Sequence, residues 1–187
     1  MNVIRASEYC NDTSVTKAIM SGIFTDGFYN WLRLFSRDKQ KLSPAFAHMF
    51  DLDVFYLAIQ DGNIVAIAAC ADNTHTAVHL GKNELKQYLG FIMGSFAYRV
   101  LKKEFEDKGY PFEIGADTGS VEFVATAMDY KRQGAAYAVI EHILSVGYAD
   151  YVLEVEDNNI AAIKLYTKLG FAECHRVKDR IYMRRGK

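Results

Sequence analysis

The chain has 187 residues, 50% of them apolar and 24% charged, enough for one compact core and tight for two, so residues 1–187 read as a single domain. A formal net charge of −1 gives no overall electrostatic footprint for nucleic acid or an anionic membrane. No apolar run reaches membrane-spanning length and Met1 to Ala6 lacks a secretory signal's basic-then-apolar order, so a cytoplasmic protein is expected.

Met1 to Tyr9 alternates loosely as a first strand. Asp12 or Thr13 can cap a helix carrying Val15, Ile19 and Ile23, and Gly27 ends it before an aromatic cluster of Phe28, Tyr29, Trp31 and Phe35. Ser43-Pro44 then offers an N-cap and first-turn proline for a short helix. Val54 to Ile59 and Ile64 to Ala69 are apolar on both faces around Asp61-Gly62, the signature of two central antiparallel strands joined by a tight turn.

Glu84 to Asp107 carries a helical stripe of Leu85, Tyr88, Leu89, Ile92, Met93, Phe96, Val100, Leu101 and Phe105, predicting one long helix that stops at Gly109 and Pro111. Val121 to Ala127 alternates as a strand, and Gly134 opens a helix striped by Ala136, Val139, Ile140, Ile143 and Leu144. Tyr151 to Val155 is a further strand. Asn158 or Asn159 caps a helix that ends at Gly170, and Phe171 to Val177 and Arg180 to Met183 close as strands. This order predicts a mixed α/β sheet. The basic end, with Arg176, Lys178, Arg180, Arg184 and Arg185, reads as a solvated strand face.

Cys10, Cys70 and Cys174 are odd in number and far apart, and none has an activating base beside it, so neither disulfide nor nucleophilic thiol is expected. The five His residues form no pair at metal-ligand spacing, and no metal site is expected.

The segment from Met128 to Ile140 joins a strand to a helix through a short loop with glycine at its tightest point. Unpaired amides at a helix N-terminus converge on one spot and the macrodipole adds positive charge, so an anion is favoured there; Gly134 and the small Ala136 admit close approach, and Lys131 and Arg132 add charge. There is no Gly-Lys-Ser/Thr and no Gly-x-Gly-x-x-Gly followed by a spaced acidic residue, which disfavours a Walker A loop and a dinucleotide fold.

Lys131-x-x-Gly134-x-Ala136 resembles the loop of the GNAT (GCN5-related) N-acetyltransferases, which runs Arg/Gln-x-x-Gly-x-Gly/Ala. Lys131 departs from that pattern, supplying charge without the planar fork of arginine. A second match follows at Asn159, Ala162, Tyr166, Lys168, Leu169, Gly170 and Phe171, similar to the family's Asn-x-x-Ala-x-x-x-Tyr and Lys-Leu-Gly-Phe. The resemblance implies a GNAT acyl-CoA acyltransferase fold: a mostly antiparallel sheet splayed between its fourth and fifth strands and flanked by helices, here with the extra helix from Glu84 between the third and fourth.

It also implies acetyl-CoA as acetyl donor, with the pantetheine arm on main-chain groups of Val124, Ala125 and Thr126. The diphosphate would lie on Lys131, Arg132, Gln133, Gly134, Ala135 and Ala136, and Asn159 would touch the cofactor besides capping its helix. Tyr166 occupies the position of the family's general acid; by periodicity alone it would pack with Ala162, Leu165 and Leu169. Glu122 is the candidate base, since strand alternation puts it on the face of Val124 and Thr126, although a strand glutamate can equally face solvent. Glu154 and Glu156 read as solvated or paired.

The expected reaction is direct transfer of acetyl to a primary amine of a small molecule or peptide, by a monomer or homodimer without a nucleic-acid or membrane partner. Asp26 beside Phe28, Tyr29 and Trp31 would suit a cationic amine with an apolar body, while those rings can also be core. The alternative is a non-catalytic acyl-CoA-binding or regulatory protein on the same fold.

Overall fold

The structure, a computed structural model, describes residues 1–186. β1 (Asn2–Arg5) is followed by α1 (Thr13–Gly27), α2 (Tyr29–Leu32) and α3 (Lys39–Phe46), then by β2 (Phe55–Gln60) and β3 (Asn63–Ala71). Next come α4 (Lys82–Leu89), α5 (Phe91–Phe105), β4 (Thr118–Thr126), α6 (Ala135–Ile143) and β5 (Asp150–Glu156). The chain closes with α7 (Ile160–Lys168), β6 (Ala172–Val177) and β7 (Arg180–Gly186).

Local chemistry accounts for most of these boundaries. The Asp12 carboxylate accepts from the Ser14 amide at 2.9 Å and so caps α1, and the Asn159 side chain accepts from the Ala162 amide at 3.2 Å to cap α7. Asp61 and Gly62, both with positive φ, turn β2 into β3 as the dipeptide predicts.

Several expectations are corrected. The first strand stops at Arg5, where a single 3-10 turn over Ala6–Glu8 takes over. The buried side of α1 is Thr16, Met20, Ile23 and Phe24 rather than Val15 and Ile19, because the larger Met20 and Phe24 side chains fill the interior better. Asp38 caps α3 through the Gln40 amide at 2.9 Å, leaving Pro44 inside the helix at the cost of one backbone bond.

The long helix expected from Glu84 to Asp107 is two helices. Gly90, at φ 82, takes a conformation that ends α4, and α5 restarts one residue later. The stripe is split with it: Leu85 and Leu101 are buried, whereas Phe91 and Ile92 are 74% and 83% exposed.

All seven strands form one sheet in the order β1-β2-β3-β4-β5-β7-β6. Every neighbouring pair is antiparallel except β4 and β5, which run parallel and pair from Thr118↔Asp150 to Ser120↔Val152. Both strands continue well past that point, to Thr126 and Glu156, so they diverge and open a gap in the sheet.

Two hydrophobic clusters cover the two faces. On one, Phe24 is wholly buried, its ring 4.9 Å from Phe28, 5.5 Å from Phe46 and 6.1 Å from Phe123. On the other, Val139, Ile140 and Ile143 of α6 pack with Ala66, Ala68 and Val121, and this cluster continues through Leu153 and Val155 to Tyr166 and Phe171. No helix is long and apolar enough to cross a membrane among the described residues.

Candidate active site

A cleft of about 580 Å³ opens at the gap between the diverging strands. Its walls include Val121 to Val124 of β4, Glu154 to Glu156 of β5, Asn158, Asn159 and Tyr166, and, across from them, Phe28, Trp31, Phe105, Tyr110, Arg180 and Tyr182. Glu122 and Tyr166, read from the sequence as base and acid, therefore line the same space.

The path of β4 decides what faces the cleft. Ala69 pairs with Glu122 but Ile67 pairs with Ala125, so β4 carries one extra residue in a bulge, and Phe123 there has φ 52. The Phe123 ring packs 5.0 Å from Phe105 and 6.1 Å from Phe55, contacts that offset the backbone strain. Because cross-strand partners share a face, Glu122 lies with Ala69, while Thr126 lies with Ala66 on the opposite one. Simple alternation had put Glu122, Val124 and Thr126 together; the bulge separates them.

The same bulge leaves the main chain suited to a ligand. The Ala127 amide donates to Val65 O of β3 at 2.9 Å. Peptide groups alternate sides along a strand, so those of Ala125 also turn toward β3, and those of Val124 and Thr126 turn toward the gap.

The Glu122 carboxyl is held by the Ser120 hydroxyl, which donates to Oε1 at 2.6 Å and itself lies 2.6 Å from the Tyr110 hydroxyl. Burial pushes this carboxyl above the usual range, the Ser120 bond opposes the rise, and Glu154 adds to it. Tyr166 is 7% exposed, with its ring 6.2 Å from Phe171, and burial pushes the phenol up to about 12, so it stays protonated at neutral pH. Cluster packing and a place in the cleft wall are thus both true of Tyr166.

At the end of β4 a 3-10 turn over Met128–Tyr130 leads to Lys131, Arg132, Gln133 and Gly134, all exposed. Gly134 sits at φ 86 as the N-cap of α6, and the Ala138 amide bonds Gly134 O, leaving the amides before it without an intrahelical acceptor. Arg132 also has positive φ, and open space surrounds the position a Gly134 side chain would take. This exposed helix start, with two cations beside it, fits an anion such as a diphosphate. The loop lies outside the cleft wall, whereas Asn159, at the start of α7, belongs to it.

The expected acceptor residues divide. Phe28 and Trp31 line the cleft. Asp26 instead bonds Lys39 Nζ at 2.6 Å, and the Tyr29 hydroxyl donates to Arg37 O at 2.9 Å with the Lys39 ammonium over its ring. Neither Asp26 nor Tyr29 lines the cleft.

The sequence reading missed a group of charges. Lys108 Nζ lies 3.2 Å from Glu104 and 2.7 Å from Glu154, and Arg180 bonds the same two carboxylates, so four charges from α5, the following loop, β5 and β7 close a ring in the cleft wall. Arg180 and Glu154 are therefore paired inside the cleft and Arg184 pairs with Asp150, whereas Arg176 and Lys178 are exposed as the solvated basic face expected. No local motif announces this ring of charges, because Glu154 and Arg180 reach Lys108 and Glu104 only across the fold. Cys70, a buried thiol pushed up to about 12 by burial, is no nucleophile at neutral pH.

Known proteins agree with this architecture. An N-acetyltransferase from Staphylococcus aureus Mu50 superposes with a TM-score of 0.60 at 18% identity over 98% of both chains. The PaiA N-acetyltransferase from Thermoplasma acidophilum, solved with coenzyme A, gives 0.54 at 11% over the full length of both. At such identities the likeness speaks for the fold. The ribosomal protein bS18-alanine N-acetyltransferase of Escherichia coli (strain K12) is 34% identical over 98 residues, a stretch spanning 49% of this chain and 60% of that enzyme. The family model of the GNAT acetyltransferases matches residues 22–171, and the chain belongs to that family.

Proposed function

We propose that this chain is an acetyl-CoA-dependent N-acetyltransferase that passes the acetyl group directly to a primary amine of a small molecule or peptide. The observation that carries the reading is the presence of Glu122 and Tyr166, a carboxylate and a protonated phenol, in one cleft at the opening of the sheet.

Acetyl-CoA, when bound, supplies an activated acyl group. Amides from Arg132 to Ala136, with Lys131 and Arg132, would hold its diphosphate, and main-chain groups of Val124 and Thr126 its pantetheine arm. Glu122 accepts a proton from the acceptor ammonium, directly or through water, and burial, by raising its affinity for that proton, favours the exchange. A gap-facing amide of β4 stabilises negative charge as it develops on the acyl oxygen. Tyr166 would give its phenol proton to the departing sulfur, and the second proton shed by the acceptor nitrogen as the amide forms would restore the phenol. Transfer needs no acyl-enzyme, consistent with the inert Cys70.

Phe28, Trp31 and Phe105 give the acceptor an apolar wall, and Glu104 and Glu154 bring carboxylates to it. The Escherichia coli relative is named as an alanine N-acetyltransferase of a ribosomal protein, which supports counting peptides among the acceptors to be tried.

Two-substrate kinetics across an amine and peptide panel test the reading. Intersecting lines, with Tyr166→Phe lowering turnover while coenzyme A still binds, are expected. Parallel lines with a trapped acetyl-cysteine, or coenzyme A binding with no acceptor-dependent thiol release, would overturn it.

A further inference from the structure

We propose that Ser120 and Tyr110 are positioning residues that tie down Oε1 of the Glu122 carboxylate through two successive hydrogen bonds and leave Oε2 as its basic atom. The proposal rests on the reading of Glu122 as the base, and it adds the means by which that base is aimed and kept ionisable.

Proton counting gives the chain a direction. Ser120 Oγ donates its one proton to Glu122 Oε1 at 2.6 Å, so toward Tyr110, also at 2.6 Å, it can only accept. Tyr110 therefore donates to Ser120 and Ser120 to Glu122, and each bond polarises the next. Among the described residues Glu122 Oε2 has no hydrogen-bond partner.

Topology places the chain where aim matters. Ser120, 5% exposed, is held on both sides, by Ala71 of β3 and Val152 of β5, at the last position where β4 and β5 pair. Two residues on, Glu122 is the next on that face, just where the strands part. Tyr110 arrives from the connection after α5, its ring 5.5 Å from Phe112 and 5.9 Å from Tyr182. The Ser120 bond fixes one Glu122 oxygen against the part of β4 paired on both sides, just ahead of the bulge.

Other groups surround this carboxyl. α5 and its following loop bring Glu104 and Lys108, β5 brings Glu154 and Glu156, β7 brings Arg180 and Tyr182, α7 brings Tyr166 and β3 brings Cys70. Lys108 and Arg180 are engaged by Glu104 and Glu154, so neither cation is committed to Glu122. The hydroxyl of Ser120 is the donor in direct contact, and a bond to the charged form opposes the rise that burial imposes.

The test is the pH profile of kcat/KM for the full chain and for Ser120→Ala, Ser120→Thr, Tyr110→Phe and Glu122→Gln. It is paired with a 13C NMR titration of the Glu122 carboxyl without substrates. Ser120→Ala should move both the acidic limb and the NMR midpoint up by about one pH unit, the size expected for loss of a charge-assisted bond. Tyr110→Phe should move them the same way by less, and Ser120→Thr, which keeps a hydroxyl, should restore them. An NMR midpoint unmoved in both Ser120→Ala and Tyr110→Phe overturns the proposal; the second variant keeps the question open to answer if the first does not fold. An acidic limb that survives Glu122→Gln, with the NMR midpoint still shifting as expected, instead removes Glu122 as base while leaving the Ser120 hold intact.

Discussion

The two sides of the proposed site, one for the acetyl donor and one for the acceptor, are built from different materials. The donor side, from the gap-facing edge of β4 through the Gly134 turn to the start of α6, offers main-chain groups set by helix and strand geometry. The acceptor side is made of side chains brought together from α2, α5 and its following loop, and β7, with a ring of ion pairs and an aromatic wall. Main-chain sites need only a short segment with the right backbone, so they tolerate nearly any neighbouring sequence. Side-chain sites depend on residues far apart, and substitution can remodel them without touching the donor side.

The sharpest way to break this division is at Tyr166 and Glu122, where the two sides meet. Tyr166→Phe and Glu122→Gln should each lower kcat by about 10²-fold or more in steady-state assays, with the coenzyme A dissociation constant unchanged by calorimetry. Glu122 carries a second signature. Its pKa is raised in the folded protein, so it favours folding most below the ordinary glutamate value, and that advantage is lost as pH rises through the raised one. Glu122→Gln should therefore keep or raise the denaturant midpoint at neutral pH while turnover falls, the reverse of a folding defect.

Next in size is Phe24→Ala, which empties the middle of the aromatic cluster behind the acceptor wall and should cost about 3–5 kcal/mol in denaturant unfolding. Its ring touches Phe28 and Phe105, so what folds should lose acceptor affinity first. On the donor side, Gly134→Val puts a β-branched residue at φ 86, a strain of about 1–2 kcal/mol that the turn should relieve by changing shape, weakening coenzyme A binding by up to about tenfold. The acceptor KM should not follow. The smallest effect is expected for Lys108→Met, which opens the ion-pair ring. At about 1 kcal/mol or less for a partly exposed pair, it should change the acceptor KM a few-fold and leave the coenzyme A constant alone. A shift in both constants would show that the two sides are coupled.

Legibility in the sequence follows the same divide. The Asp61-Gly62 turn, the Asn159 cap, the Gly134 helix start and the strand and helix order around them are written within a few residues each, because local backbone preference and capping act over that range. Tyr166 was legible through the spacing of its motif. Phe28, Trp31, Asp26 and Tyr29 read alike in the sequence; only tertiary contacts separate the first two, which line the cleft, from the latter pair, engaged by Lys39 and Arg37.

What the sequence by itself determined was the family, most of the strand and helix order, and the turn that opens α6 at Gly134, since each depends on contiguous residues. Tertiary structure alone decided the face of Glu122, because one bulged residue at Phe123 reverses the alternation on which a reading of β4 depends. It also decided the break at Gly90, where a positive φ interrupts a periodic stripe that continues through it. And it decided the company of Glu122, because Tyr110, Ser120, Lys108 and Arg180 meet only when β4 and β5 part and the loop after α5 folds over the opening.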